Sequence, residues 1–159
     1  NPFVYGKSLG LMRPTPGELK VKLLSINAKL PKYASDGAAG ADIFASEEVL
    51  LRPEAVTKVK TDIAMAIPEG WVGLIRDRSG IATKRGLFVV AGIIDSDYRG
   101  EILVALYNSA PNGRFDEIVA KGDRIAQILF VPAPQINIIQ TEELDDTKRG
   151  SDGFGSTGK

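Results

Sequence analysis

The chain has 159 residues, 43% apolar and 25% charged, with acidic and basic side chains in equal number. That is the size and mix of one globular domain, and the zero net charge speaks against holding a nucleic acid polymer by counterion release. It has no cysteine and no histidine, which excludes disulfides and thiolate or imidazole chemistry; a general base must be a carboxylate, Lys or Tyr, and any catalytic metal a hard, oxygen-bound cation.

Residues 1–18 contain three Pro and three Gly without periodicity and read as an irregular leader. The division expected is a leader over 1–19, a core over 20–147 and a Gly-rich arm over 148–159. The stretch NPFVYGKSLG lacks the apolar core of a signal peptide and no apolar run reaches the length of a membrane span, so a soluble, intracellular, cytoplasmic protein is expected. KVKLLSI, from Lys20, reads as a first strand, closed by Leu30 and Pro31. Residues 35–43 are small and flexible up to Asp42, where apolar residues take over. The short apolar runs 49–51, 56–59, 63–67 and 71–75 are punctuated by Pro53 and by Pro68-Glu69-Gly70. With no long helix among them, they indicate an all-β sandwich or jelly roll.

Residues 76–86 break the pattern: Ser79 suits an N-cap and Gly86 a helix stop. The segment is either a capped connector or, with Arg78 and Lys84 beside the free N–H groups of a helix start, an anion site suited to phosphate. Residues 87–94 and 101–107 read as two strands of a hairpin, with Asp95, Ser96, Asp97, Tyr98, Arg99 and Gly100 between them. The turn is either a solvated tip or a site, since a tip needs neither Tyr98 nor Arg99 and a rigid strand would hold the Asp95 carboxylate in place. Further on, residues 115–119 and 124–131 read as strands, the second with Gln127 as a satisfied core residue or a ligand contact. Pro132 and Pro134 confine residues 136–139 to a sheet edge. Residues 149–159 have the composition of a disordered tail, or of a mobile lid carrying Arg149 and Phe154.

Taken in order, GAAGADIFAS, RSGIATKRG, GIIDSDYRGEI, KGDRIAQILF and RGSDGFGSTGK resemble the five successive motifs of the homotrimeric dUTPases, over residues 20–159. The resemblance implies a jelly-roll-like β-clip fold, a homotrimer with an exchanged C-terminal arm, and Mg²⁺-dependent hydrolysis of dUTP to dUMP and pyrophosphate. It makes Asp95 the base for the water that attacks the α-phosphorus and packs Tyr98 under the deoxyribose. Main-chain groups of Phe88, Val89, Val90, Ala91, Gly92 and Ile94 would hold the uracil edge while Phe154 stacks on the base. Arg78, Ser79, Gly80, Gln127, Arg149, Ser156 and Thr157 would bind phosphate. Asp42 would act on Mg²⁺ through water, the ion being held mainly by the triphosphate. The partners implied are dUTP, its products and two further copies of the chain, with no nucleic acid polymer and no membrane. Two positions depart from the motifs: Asp77 stands where Pro is usual and Asp152 where Gly is usual, the latter expected to weaken closure of the arm unless it faces solvent or the metal. The related dCTP deaminases carry a Glu where this chain has Ala105, so deamination is not expected.

Overall fold

Val, Ile and Leu recur in runs too short for helices, between Pro and Gly turns, and in a computed structural model of the chain those runs become strands. The structure describes residues 17–113 and 116–151. The elements are β1 (Lys20–Leu23), β2 (Lys32–Tyr33), β3 (Ala41–Phe44), β4 (Val49–Leu51), β5 (Val56–Lys60), β6 (Ile63–Ala66), β7 (Trp71–Arg76), α1 (Ser79–Arg85), β8 (Leu87–Val89), β9 (Ile93–Ile94), β10 (Leu103–Asn108), β11 (Glu117–Val119) and β12 (Arg124–Pro132). Every pairing is antiparallel, in sheets ordered β2-β3-β12-β7-β9, β5-β10-β8, β1-β6 and β11-β4. The all-β expectation is borne out. Among the described residues no helix is long and apolar enough to cross a membrane.

Side chains from the different sheets meet in one core that includes Ile43, Leu51, Val59, Ile63, Leu87, Ile102, Val104, Leu106, Ile125 and Ile128, all essentially buried. Each such side chain contributes about 1.5–3 kcal/mol relative to exposure, so the core, more than ladders of two to six residues, holds the sheets together. β12 is the spine. Its nine residues pair with β3 along one edge and β7 along the other. A register shift between Arg124 and Ala126 buries Ile125 and Ala126 in succession, which explains the imperfect alternation of this strand.

Three expectations are corrected. The apolar run 87–94 is not one strand: β8 stays on β10 while β9 crosses to β7, pairing Ile94 with Gly73. The chain turns between them because Ala91 and Gly92 take φ of 68° and 110°, and a Cβ on Gly92 would lie 2.6 Å from Ile75 O. Second, Ser79 is the first residue of α1, and the cap position is held by Arg78 in an extended conformation without a side-chain cap bond. Arginine has no acceptor with which to cap. Gly86 ends the helix in the left-handed conformation as expected. Third, residues 136–139 pair with no strand among the described residues, and Ile136, Ile138 and Ile139 are 81%, 93% and 75% exposed.

Asp62, between β5 and β6 at φ 52°, joins the first strand region to the core. Its carboxylate accepts the Ser25 hydroxyl at 2.6 Å, its carbonyl accepts Leu24 N–H at 2.8 Å and its own N–H donates to Glu101 Oε1 at 3.1 Å. The Ser25 bond, with smaller help from the Glu101 contact and the Lys60 ammonium, holds the Asp62 carboxyl below its ordinary value of 3.8 against the opposing effect of burial. A depressed folded value means stability that is complete above 3.8 and is lost as the pH falls through that lower value. Ser25→Ala is therefore expected to lower the unfolding free energy by about 1 kcal/mol near neutral pH. The deficit should shrink in acid, as measured by urea titrations of both proteins.

Candidate active site

Gln127 of β12 stands opposite Asp42 of β3 and Arg76 of β7, and directly opposed residues of antiparallel strands carry their side chains on one face. Asp42 is 8% exposed. Its Oδ1 accepts Arg78 Nε at 2.8 Å and its Oδ2 lies 3.5 Å from Arg124 Nη1. Arg78 Nη1 donates onward to Arg124 O at 3.3 Å. A carboxylate this buried is tolerable only when paired in this way. Gln127 Nε2 donates to Asp77 O at 2.8 Å; on its other side a Cβ at Gly40 would lie 2.6 Å from Gln127 Oε1, so the glycine leaves the amide its room.

Because Arg78 is drawn to Asp42, α1 begins immediately after it, and Ser79 and Gly80 are exposed in the first turn, where main-chain N–H groups lack intrahelical acceptors. The far end of the helix is fixed by Arg85, which donates to Glu117 Oε2 at 2.9 Å and to Ile118 O at 2.6 Å. The group formed by Asp42, Arg78, Ser79, Gly80 and Gln127 offers guanidinium, amide and main-chain donors over a buried carboxylate, a set suited to an oxyanion.

A second group lies along residues 89–101. Val90 N–H donates to Ala105 O at 2.9 Å and Ile75 N–H to Gly92 O at 2.7 Å, holding the chain where it passes from one sheet to the other. A cavity of about 210 Å³ is lined by Ile75, residues 89–94 and residues 103–105. A neighbouring one of about 200 Å³, lined by Ile94, Asp95, Tyr98, Glu101 and Leu103, shares Ile93, Ile94 and Leu103 with it. Tyr98 OH donates to Glu101 O at 3.0 Å, and its ring lies over Gly100, where a Cβ would sit 2.4 Å from the phenolic oxygen. Arg99 closes the turn, donating through Nη1 to Ser96 O at 2.6 Å and Tyr98 O at 2.9 Å, so the arginine that the turn seemed not to need belongs to it. Asp95 is exposed at the cavity, and among the described residues its carboxylate has no hydrogen-bond or ion-pair partner.

The structure thus assembles the sequence-predicted residues into two groups. Among the described residues no hydrogen bond joins Asp95 or Tyr98 to Arg78, Ser79, Gly80 or Gln127. Arg149 sits in an exposed turn closed by Gly150 N–H to Thr147 O at 3.1 Å; Asp152, Phe154, Ser156 and Thr157 lie outside the described residues. Three contributors went unnoticed in the sequence: Arg124, Gly40 and the acceptor role of Asp77. Arg124 was visible within KGDRIAQ; the other two depend on cross-strand neighbours that no local pattern announces.

The dUTPase family model matches residues 26–158. The deoxyuridine 5'-triphosphate nucleotidohydrolase of Debaryomyces hansenii is 48% identical over 143 residues, covering 89% of this chain and 88% of that protein. Among solved structures, a mutant Staphylococcus bacteriophage 80alpha dUTPase with dUpNHpp aligns with a TM-score of 0.84 at 34% identity, over 89% of this chain and 99% of its own. A mutant dUTPase from phage phi11 of S. aureus, whose structure describes coordination of a structural Mg(II) ion, aligns with a TM-score of 0.74 at 33% identity, over 80% of this chain and 98% of its own.

The close approach at Gly40 gives a test of the first group. Gly40→Ala is expected to cost about 1–3 kcal/mol through overpacking against Gln127. Combined with Gln127→Ala it should cost less than the sum of the two single changes, as a denaturant double-mutant cycle would measure.

Proposed function

The chain belongs to the dUTPase family, and from that premise we propose that it hydrolyses dUTP to dUMP and pyrophosphate by water attack at the α-phosphorus, keeping uracil out of DNA and supplying dUMP for thymidylate synthesis. The observation that carries the mechanism is the Asp95 carboxylate, unpartnered among the described residues and exposed at the cavity it shares with Tyr98. In a chain without histidine, a free carboxylate on a short, paired strand end is the group best able to orient a water and take its proton. The two adjoining cavities suit a nucleoside, with the main chain of residues 88–92 and Ile94 along the base and the Tyr98 ring against the sugar. Of these groups Val89 N–H is already taken by the Asp77 carboxylate, Val90 N–H by Ala105 O and Gly92 O by Ile75 N–H, so the base is met by those that remain.

Triphosphate binding falls to Arg78, the N–H groups of Ser79 and Gly80, and Gln127. Arg78 uses Nε on Asp42 and Nη1 on Arg124 O, which leaves Nη2 directed by two fixed bonds rather than free to rotate. Orientation of this kind lowers the ordering that phosphate binding must bring about. Arg149, Ser156, Thr157 and Phe154 complete the site from the arm over 148–159, which follows the core over 20–147 and the leader over 1–19.

The donor chemistry fits Mg²⁺. All ionisable acceptors in the chain are oxygens, the ligand type a hard cation such as Mg²⁺ takes. Both Asp42 oxygens already meet guanidinium groups, which favours contact through water over direct ligation. When bound, Mg²⁺ supplies charge neutralisation across the phosphates.

The active unit is a homotrimer with the arm exchanged between copies, working as a soluble cytoplasmic enzyme. The exposure of Ile136, Ile138, Ile139 and Leu144 along a segment unpaired among the described residues supports this reading, since clustered exposed apolar side chains mark an interface.

Pyrophosphate release from dUTP with Mg²⁺ tests the activity, and wild-type protein without turnover would overturn it. Asp95→Asn should lower kcat by about 10²–10⁴-fold with KM little changed, because the group acts chiefly in the transition state. Sedimentation velocity should give a particle of about three times the 17.0 kDa chain mass; a monomer would remove the shared-site reading.

A further inference from the structure

Asp77 lies between the end of β7 at Arg76 and the start of α1 at Ser79. Here the side chain is half-buried and its Oδ1 accepts the Val89 N–H. The pairing of β8 explains why that N–H is available. Val90 N–H donates to Ala105 O on β10, and antiparallel alternation turns the N–H of the preceding residue to the opposite edge of the strand. Three residues after Val89, Gly92 O accepts Ile75 N–H at 2.7 Å.

The chain leaving β7 therefore grips residues 89–92 at two points, from Ile75 and from Asp77. Between those points Ala91 holds φ at 68°, which a non-glycine residue adopts only when its surroundings impose it. On its main-chain oxygen the same Asp77 receives Gln127 Nε2, so one residue touches both the base edge and the phosphate side.

We propose that Asp77 is a specificity-determining positioning residue, whose carboxylate clamps the crossing from Val89 to Gly92 in the shape that presents its main-chain groups to the base. The proposal rests on the reading of that crossing as the base-recognition edge. Uracil and cytosine differ in the donors and acceptors along one edge, so discrimination between them depends on fixed main-chain partners. Without the Asp77 acceptor the Val89 N–H is released, and the crossing loses the bond that opposes its relaxation.

The test compares Asp77→Ala and Asp77→Leu, which remove the acceptor at small and similar size respectively, with Asp77→Asn, whose Oδ1 still accepts an N–H. Two readouts apply. Amide hydrogen exchange of Val89 in the ligand-free protein should be about tenfold faster in the Ala and Leu variants and close to wild type in Asn. The ratio of kcat/KM for dUTP over dCTP should fall about tenfold in Ala and Leu and be retained in Asn. Unchanged exchange in Ala and Leu, faster exchange with unchanged discrimination, or an Asn variant behaving like Ala would each overturn the proposal. Wild-type protein that turns over no dUTP would count against the proposed function, while the exchange measurement would still decide whether Asp77 is the clamp.

Discussion

Asp42 brings a carboxylate almost fully out of water on β3, an inner strand of the five-stranded sheet, where an uncompensated charge costs several kcal/mol. The guanidinium groups of Arg78 and Arg124 compensate it, and much of the site follows from that requirement. Arg78 must reach inward, so the residue before the helix is extended and incapable of capping. The first turn of α1 is left facing outward beside a cation. Arg124 must reach the same carboxylate from the start of β12, next to the bulge that buries two successive apolar residues. With β12 so placed, Gln127 stands beside Asp42 and can reach the main chain at Asp77. A phosphate-sized set of donors thereby forms around an anion the protein already contains.

Much of this architecture is legible in the sequence because it depends on local chemistry. Short β-branched runs between Pro and Gly give strands, Gly86 gives the helix stop, and Asp95 stands out once histidine and cysteine are absent. What is not legible depends on partners distant along the chain. In residues 87–94 every side chain up to Asp95 is apolar or absent, so no period reveals that the backbone reverses its sheet allegiance at Ala91. Ser79 looks like a cap because its own chemistry suits one; the demand of Asp42 on Arg78 shifts the helix start instead. Residues 136–139 have the composition of an edge strand, yet strand pairing needs a neighbour that the described chain does not offer. Asp77, in the sequence a charge in an unexpected place, has an evident use once Val89 turns its N–H outward.

The two groups of site residues are unequal in how they are held. Asp42, Arg78 and Gln127 are fixed by side-chain bonds over the spine strand. The group along residues 89–101 is fixed by main-chain bonds, at Val90 to Ala105 and at Ile75 to Gly92, together with Tyr98 folded over Gly100 onto its own turn. Main-chain recognition tolerates changes of side chain but not of path, which fits the concentration of positive φ values and close approaches at Ala91, Gly92 and Gly100.

The crossing at Ala91 also bears on how the folded chain responds to what it binds. β8 belongs to the sheet of β5 and β10, β9 to the sheet of β3, β12 and β7, and the cavity between them is walled by both. A molecule seated there braces two layers that otherwise adhere through their shared core and a few hydrogen bonds such as Val89 N–H to the Asp77 carboxylate. Binding to the native state alone stabilises it by an amount set by concentration over affinity, about 2.7 kcal/mol at a hundredfold excess over Kd. On the proposed reading of that cavity as part of the nucleoside site, the lifetime of the folded protein is coupled to the nucleotide pool: a full pool protects the chain from unfolding and proteolysis, and a depleted one withdraws that protection.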